Sequence, residues 1–113
     1  MRRARQRKRI FTYSEASILL PEVRRLTEDA VRHLEALGAR FADDGTLADD
    51  RREVHTAVTT WAETVQDLGL QVKGLWLVDF DNGSGYYCWR WPEEGLQYYH
   101  TYEEGFRGRL RIH

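Results

Sequence analysis

The chain has 113 residues and a net charge of −1. At this length it is expected to form one domain with at most a tail, to bury a modest fraction of its surface and to self-associate. No run of about eighteen apolar residues exists and no apolar segment follows the basic start, which excludes a transmembrane helix and a secretory signal. One cysteine cannot close an internal disulfide, which fits a reducing cytoplasm.

The first ten residues, MRRARQRKRI, carry six of the 17 basic residues; the other eleven face all 18 acidic ones, so residues 10–113 sit near −7. Such an arm (1–10) on an acidic body (11–113) reads as disordered and solvated. Its charges at residues 2–9 can also engage nucleic acid, anionic lipid or another anionic partner.

Thr12 and Glu15 form a capping box that starts a helix. Pro21 is expected to end that helix near Leu20 and to open a longer one in its own first turn. Along the longer helix Val23, Leu26, Ala30, Leu34 and Leu37 make one apolar stripe, and Gly38 is a natural stop. ARFADDGTLADD reads as a polar linker with a turn at Asp44-Gly45. A second helix is expected from Leu47 to Leu68, with the stripe Val54, Val58, Trp61, Val65 and Leu68 and a stop at Gly69. The two make a helical hairpin, with dimerisation through it as an expectation. His33 and His55 are read as surface residues.

From Gly74 the pattern alternates, and three antiparallel strands are expected near 74–81, 84–91 and 96–102. A two-residue turn at Asn82-Gly83 pairs Asp79 with Tyr86 and Leu77 with Cys88. A three-residue loop ending on a left-handed Gly95 pairs Cys88 with His100 and Arg90 with Tyr98. A four-residue loop instead opposes Cys88 to Tyr99 and puts His100 on the other face. In the first register one face carries Trp76, Val78, Phe80, Tyr87, Trp89 and Trp91 and faces the helices. The other carries Leu75, Leu77, Asp79, Tyr86, Cys88, Arg90, Tyr98, His100 and Tyr102.

Three readings of that second face stand side by side. Asp79, Cys88 and His100 can ligate zinc, iron or copper, with Glu103 or Glu104 as a further ligand. Cys88 can be a nucleophile whose thiol is activated by His100. Or the face binds a small ligand or partner, with Arg90 pairing Asp79 or gripping an anion and Cys88 merely packed. Downstream, GFRGR (105–109) offers Arg109 to an anion, while Gly105 and Gly108 permit a turn in which Phe106 plugs the core.

FTYSEASILLPEVRRL, GLQVKGLWLVDFD, YYCWRWPEEGLQYYH and GFRGR, in this order, resemble the DUF2203 family of small, uncharacterised bacterial and archaeal proteins, from Phe11 to about Arg109. The resemblance implies a helical hairpin followed by a small sheet and supplies no activity. The family pattern falls on Asp79, Cys88, Trp89, Arg90, His100, Gly105, Phe106, Gly108 and Arg109. Two positions depart from it: Asp81 stands where a proline is frequent, and Tyr99 where tryptophan precedes the histidine.

The expected fold is therefore α+β, an antiparallel helical hairpin packed on a small three-stranded antiparallel sheet. Two functions remain open. One is a metal- or small-ligand-binding site on the Asp/Cys/Arg/His face, with or without catalysis, and with zinc or iron as the cofactor. The other is a non-catalytic interaction module that uses the hairpin and the basic arm.

Overall fold

A computed structural model describes residues 9–44 and 47–112, the side chains of 39–50 excepted. Helix α1 spans Tyr13–Asp44 and α2 spans Leu47–Asp67. Five strands follow: β1 Gln71–Gly74, β2 Leu77–Asp81, β3 Gly85–Arg90, β4 Tyr98–Thr101 and β5 Leu110–Arg111. They form one antiparallel sheet in the order β1-β2-β3-β4-β5. Among the described residues no helix is long and apolar enough to cross a membrane. Residues 1–8 of the basic arm lie outside the described residues. Arg9 packs on the body, with its guanidinium 4.4 Å from the Phe11 ring centroid and Nη1 donating to the Leu68 carbonyl at 3.3 Å.

The capping box forms as expected. The Glu15 N–H donates to Thr12 Oγ1 at 3.0 Å, and the Thr12 N–H donates to Glu15 Oε1 at 2.9 Å. The helix does not break at Pro21, however, nor stop at Gly38. Pro21 is solvent-exposed, and its ring forfeits one bond, to the Ser17 carbonyl, at a cost of about 3 kcal/mol. On the opposite face Ala16, Leu20, Val23 and Thr27 are buried at spacings of four, three and four across the proline. Each fully buried aliphatic side chain contributes about 1.5–3 kcal/mol, so the continuous stripe outweighs the lost bond. Residues 39–44, read from sequence as linker, belong to α1; Gly45, the second residue of the expected turn, lies outside the described residues.

Helix α2 packs along α1 with Trp61 and Val65 buried. The Trp61 indole N–H donates to Thr27 Oγ1 at 2.8 Å, and that hydroxyl donates to the Val23 carbonyl at 2.8 Å. This hydrogen-bonded pair fixes one helix against the other. Gly69 ends the hairpin at φ 101°, where a side chain would also strike Arg9.

The sheet has two strands more than the sequence suggested. The run from Gly74 to Asp81 breaks at Leu75-Trp76, a two-residue turn that pairs Gly74 with Leu77 and holds Trp76 at φ 59°. That turn lets Trp76 pack edge-on against Trp61, with centroids 4.8 Å apart. At the other edge Leu110 and Arg111 return to pair with Tyr99 and Tyr98.

Both expected hairpin registers are off by two residues. Asp79 pairs with Cys88 and Asp81 with Tyr86, because Asn82 Oδ1 accepts from both Ser84 N–H and Gly85 N–H at 2.8 Å and widens the turn. Cys88 pairs with Tyr98 and Tyr86 with His100, because the second loop is built on Glu93 and not on Gly95. Glu93 accepts the Arg90 N–H through Oε1, and its carbonyl accepts the Trp89 indole N–H at 2.8 Å. Gly95 is not in the left-handed region. A slip of two preserves which face each side chain takes. Val78, Phe80 and Trp89 accordingly lie buried against the helices, with Trp76, Tyr87 and Trp91 packed around them.

Candidate functional site

The outer face of the sheet lies away from α1 and α2, yet Asp79, Cys88 and His100 on it are all buried. Their cover is local. Residues 102–106 fold back over the strands, and Lys73 and Leu77 close the near side of a cleft of about 310 Å³. One donor atom from each of Asp79, Cys88 and His100 lies within 4.8 Å of the others.

His100 sets the chemistry. Its Nδ1 lies 2.8 Å from the Thr101 carbonyl oxygen. A carbonyl only accepts, so Nδ1 carries a proton. Its Nε2 lies 3.0 Å from Asp79 Oδ2, also an acceptor when ionised. A proton on Nε2, a proton on Oδ2 or a shared cation between these two atoms satisfies both. Asp79 Oδ1 is buried with no hydrogen-bond partner among the described residues. Lys73 Nζ stands 3.7 Å from Asp79 Oδ2 and 4.3 Å from the Tyr86 ring centroid. Tyr86 in turn stacks near His100 and edge-on to Tyr102, whose hydroxyl donates to Asp81 Oδ1 at 2.6 Å.

Burial, and next the negative charge of Asp79, push the Cys88 thiol well above its ordinary range. That is the opposite of what a nucleophilic cysteine needs, and it weighs against the nucleophile reading. A bound cation reverses the effect, because a coordinating thiol gives up its proton.

The two arginines expected at an anion site lie elsewhere. Arg90 is exposed at the end of β3 opposite Leu77, with its guanidinium 5.5 Å from the Phe106 centroid. Arg109 pairs with Glu93 Oε2 at 2.6 Å and lies over Tyr98 at 3.8 Å and Phe106 at 4.4 Å. It ties the C-terminal segment to the second hairpin loop. Phe106 does not plug the core: it is 38% exposed and forms a wall of the cleft. Gly108 allows a close approach, since a side chain there would meet Glu104 at 2.7 Å. Gly105 has open space around it. Trp89 is fully buried on the helix side.

Lys73 was missed in the sequence because its position depends on the Leu75-Trp76 turn, which brings β1 alongside Asp79. Glu93 is the first residue of the three-residue loop expected to end on Gly95, and its spacing of three from Arg90 was the available signal.

Fold and site together define a small α+β protein with a helical hairpin on one face of an antiparallel meander and a buried Asp–Cys–His cluster under the other. The family model for an uncharacterized conserved protein, DUF2203, matches residues 9–112, and the chain belongs to that family. No curated protein and no solved structure matches it.

Proposed function

We propose that the protein binds a divalent transition metal, zinc or iron, through Asp79, Cys88 and His100. The observation that carries this reading is the orientation of His100. Its Nδ1 proton is held by the Thr101 carbonyl, so a neutral ring turns the Nε2 lone pair toward Asp79 Oδ2. Metal-ligating histidines are fixed in this way, by a hydrogen bond from the nitrogen that does not ligate. A cation between Nε2 and Oδ2 satisfies both atoms. The unpartnered Asp79 Oδ1 offers a further oxygen. Carboxylate, thiolate and imidazole together suit zinc or iron.

With Asp79, Cys88 and His100 each giving one ligand atom, a four-coordinate ion would keep one position for water or another ligand. That is the pattern of catalytic metal sites more than of structural ones. When bound, the ion supplies Lewis acidity and lowers the pKa of a coordinated water. The reading goes with a cytoplasmic location, where a lone thiol stays reduced.

Elemental analysis of tag-free protein tests it. About one zinc or iron per chain is expected, with Cys88→Ser and His100→Ala losing most of it while still folded by circular dichroism. Wild-type protein that stays metal-free, and whose melting temperature ignores added zinc and ferrous iron, would overturn the reading.

A second reading, self-association through the hairpin, is supported by a groove of about 690 Å³ between α1 and α2. Its floor is Leu26, Ala30, Ala57 and Trp61, and its rim is largely threonine and charge. Light scattering tests it: a dimer that Ala57→Glu converts to monomer supports it, and a wild-type monomer at high concentration opposes it. A nucleic-acid or anionic partner for residues 2–9 rests on charge alone, and salt-sensitive binding lost on removing those residues is its test.

A further inference from the structure

We infer that the open side of this centre takes a small monocarboxylate, held between the metal ion and the ammonium of Lys73. The inference rests on the metal reading above and deepens it. Lys73 Nζ lies 3.7 Å from Asp79 Oδ2, the same oxygen that faces His100. Its side chain is 38% exposed where that of Asp79 is 1% exposed, so the ammonium stands at the mouth of the cleft and the carboxylate at its floor. The Tyr86 ring beneath it holds the charge in place.

Distance permits the bridge. An ion bonded to Oδ2 at about 2 Å lies within about 6 Å of Nζ, which one carboxylate spans with a metal–oxygen bond of about 2 Å and an ammonium–oxygen bond of about 2.8 Å.

Charge limits the ligand to one negative charge. The carboxylate of Asp79 and the thiolate of Cys88 balance a divalent ion, and the neutral His100 adds nothing. Lys73 is the cation beside that set, 3.7 Å from Asp79 Oδ2, and the group on the cleft wall that can pair with an anion. Glu103 and Glu104 line the same mouth and oppose a second negative charge on the ligand. Glu104 is held back by Thr101, whose Oγ1 accepts its N–H at 3.2 Å and donates to its Oε1 at 3.4 Å. A phosphate dianion is therefore disfavoured relative to a carboxylate. The remaining walls, Leu77 and Phe106, accommodate a short apolar tail, and the volume of about 310 Å³ is at the small end for ligand pockets.

Cobalt(II)-substituted full-length protein provides the test, because its visible bands report both metal uptake and changes at the open position. Acetate and propionate are expected to shift the bands saturably. Lys73→Met should take up cobalt as wild type does but bind acetate at least about tenfold more weakly. Bands that ignore acetate, an equal acetate affinity in Lys73→Met, or tighter binding of inorganic phosphate would each overturn the inference. So would bands altered by Glu103→Gln or Glu104→Gln without added acid, since the chain's own carboxylate would then fill the position. An absence of cobalt bands in wild type would instead overturn the metal reading, and this inference with it.

Discussion

Asp79 and His100 meet across a strand that separates them. They sit on β2 and β4, with β3 between, yet Oδ2 and Nε2 are 3.0 Å apart. Both reach over Cys88, which pairs directly with Asp79. Since both residues are buried, each is the other's main electrostatic partner, with Lys73 a longer contact from the rim. His100→Ala in metal-free protein therefore leaves a buried carboxylate short of a partner, and is expected to cost about 3 kcal/mol. Urea denaturation measures it. Asp79→Asn with His100→Ala should be much less destabilising than the two single changes added together; strict additivity would show that the pair is not coupled.

The thiol of Cys88 gives a second expectation. Burial and the charge of Asp79 raise its pKa, so the folded metal-free protein keeps it protonated. The sign is that of an acid raised on folding: its contribution to stability is present below the unfolded thiol pKa of about 8.5 and fades as pH rises toward the higher folded value. A disulfide reagent should modify the native thiol at least about a hundredfold more slowly than the urea-unfolded one. Metal binding must remove that proton, so affinity should fall about tenfold for each pH unit lowered between about pH 8 and 6. Competition against a chelator reads it, and a pH-independent affinity would exclude the thiolate as a ligand.

What was legible in the sequence was parity. Alternation assigns Val78, Phe80 and Trp89 to one face and Asp79 and Cys88 to the other; His100 joins the second face in the register of the three-residue loop and not in that of the four-residue loop, and the even slip in both hairpins keeps the first of these assignments. The capping box at Thr12 and Glu15 was equally legible, because both of its bonds are local. What failed depends on tertiary contact. Trp76 adopts positive φ, which a bulky residue rarely does, and does so where its ring meets Trp61. Strand β5 is two residues long and carries no pattern of its own; its place follows from pairing with Tyr98 and Tyr99. Arg109 looked like a free cation from its glycine neighbours. The contact with Glu93, sixteen residues away, is what occupies it.

Pro21 was expected to divide the first helix, and its persistence inside α1 has a measurable consequence. The proline is exposed, and its missing N–H leaves the Ser17 carbonyl without an intrahelical partner. Pro21→Ala restores that bond without disturbing the buried stripe on the opposite face. It is expected to stabilise the protein by about 1–3 kcal/mol in urea denaturation. A loss of stability would mean that the ring's contacts in the cavity it shares with Tyr13, Ser17 and Arg24 outweigh the hydrogen bond.

Tyr102 supplies a readout on the cover of the cleft itself. Its hydroxyl donates to Asp81 Oδ1 at 2.6 Å, and that bond, followed by desolvation and the negative charge of Asp81, pushes its pKa up to about 12. The neutral phenol is the form that holds the contact. Its contribution is thus complete below the unfolded value of about 10 and is lost as pH rises through the folded one. In an alkaline titration followed by phenolate absorbance, the Tyr102 phenol should ionise late. Tyr102→Phe should remove that late step, and Asp81→Asn should move it toward lower pH, because an amide oxygen favours the neutral phenol less than a carboxylate does. If residues 102–106 instead opened away from the strands, the late step would be missing from the wild-type curve and neither substitution would change its end.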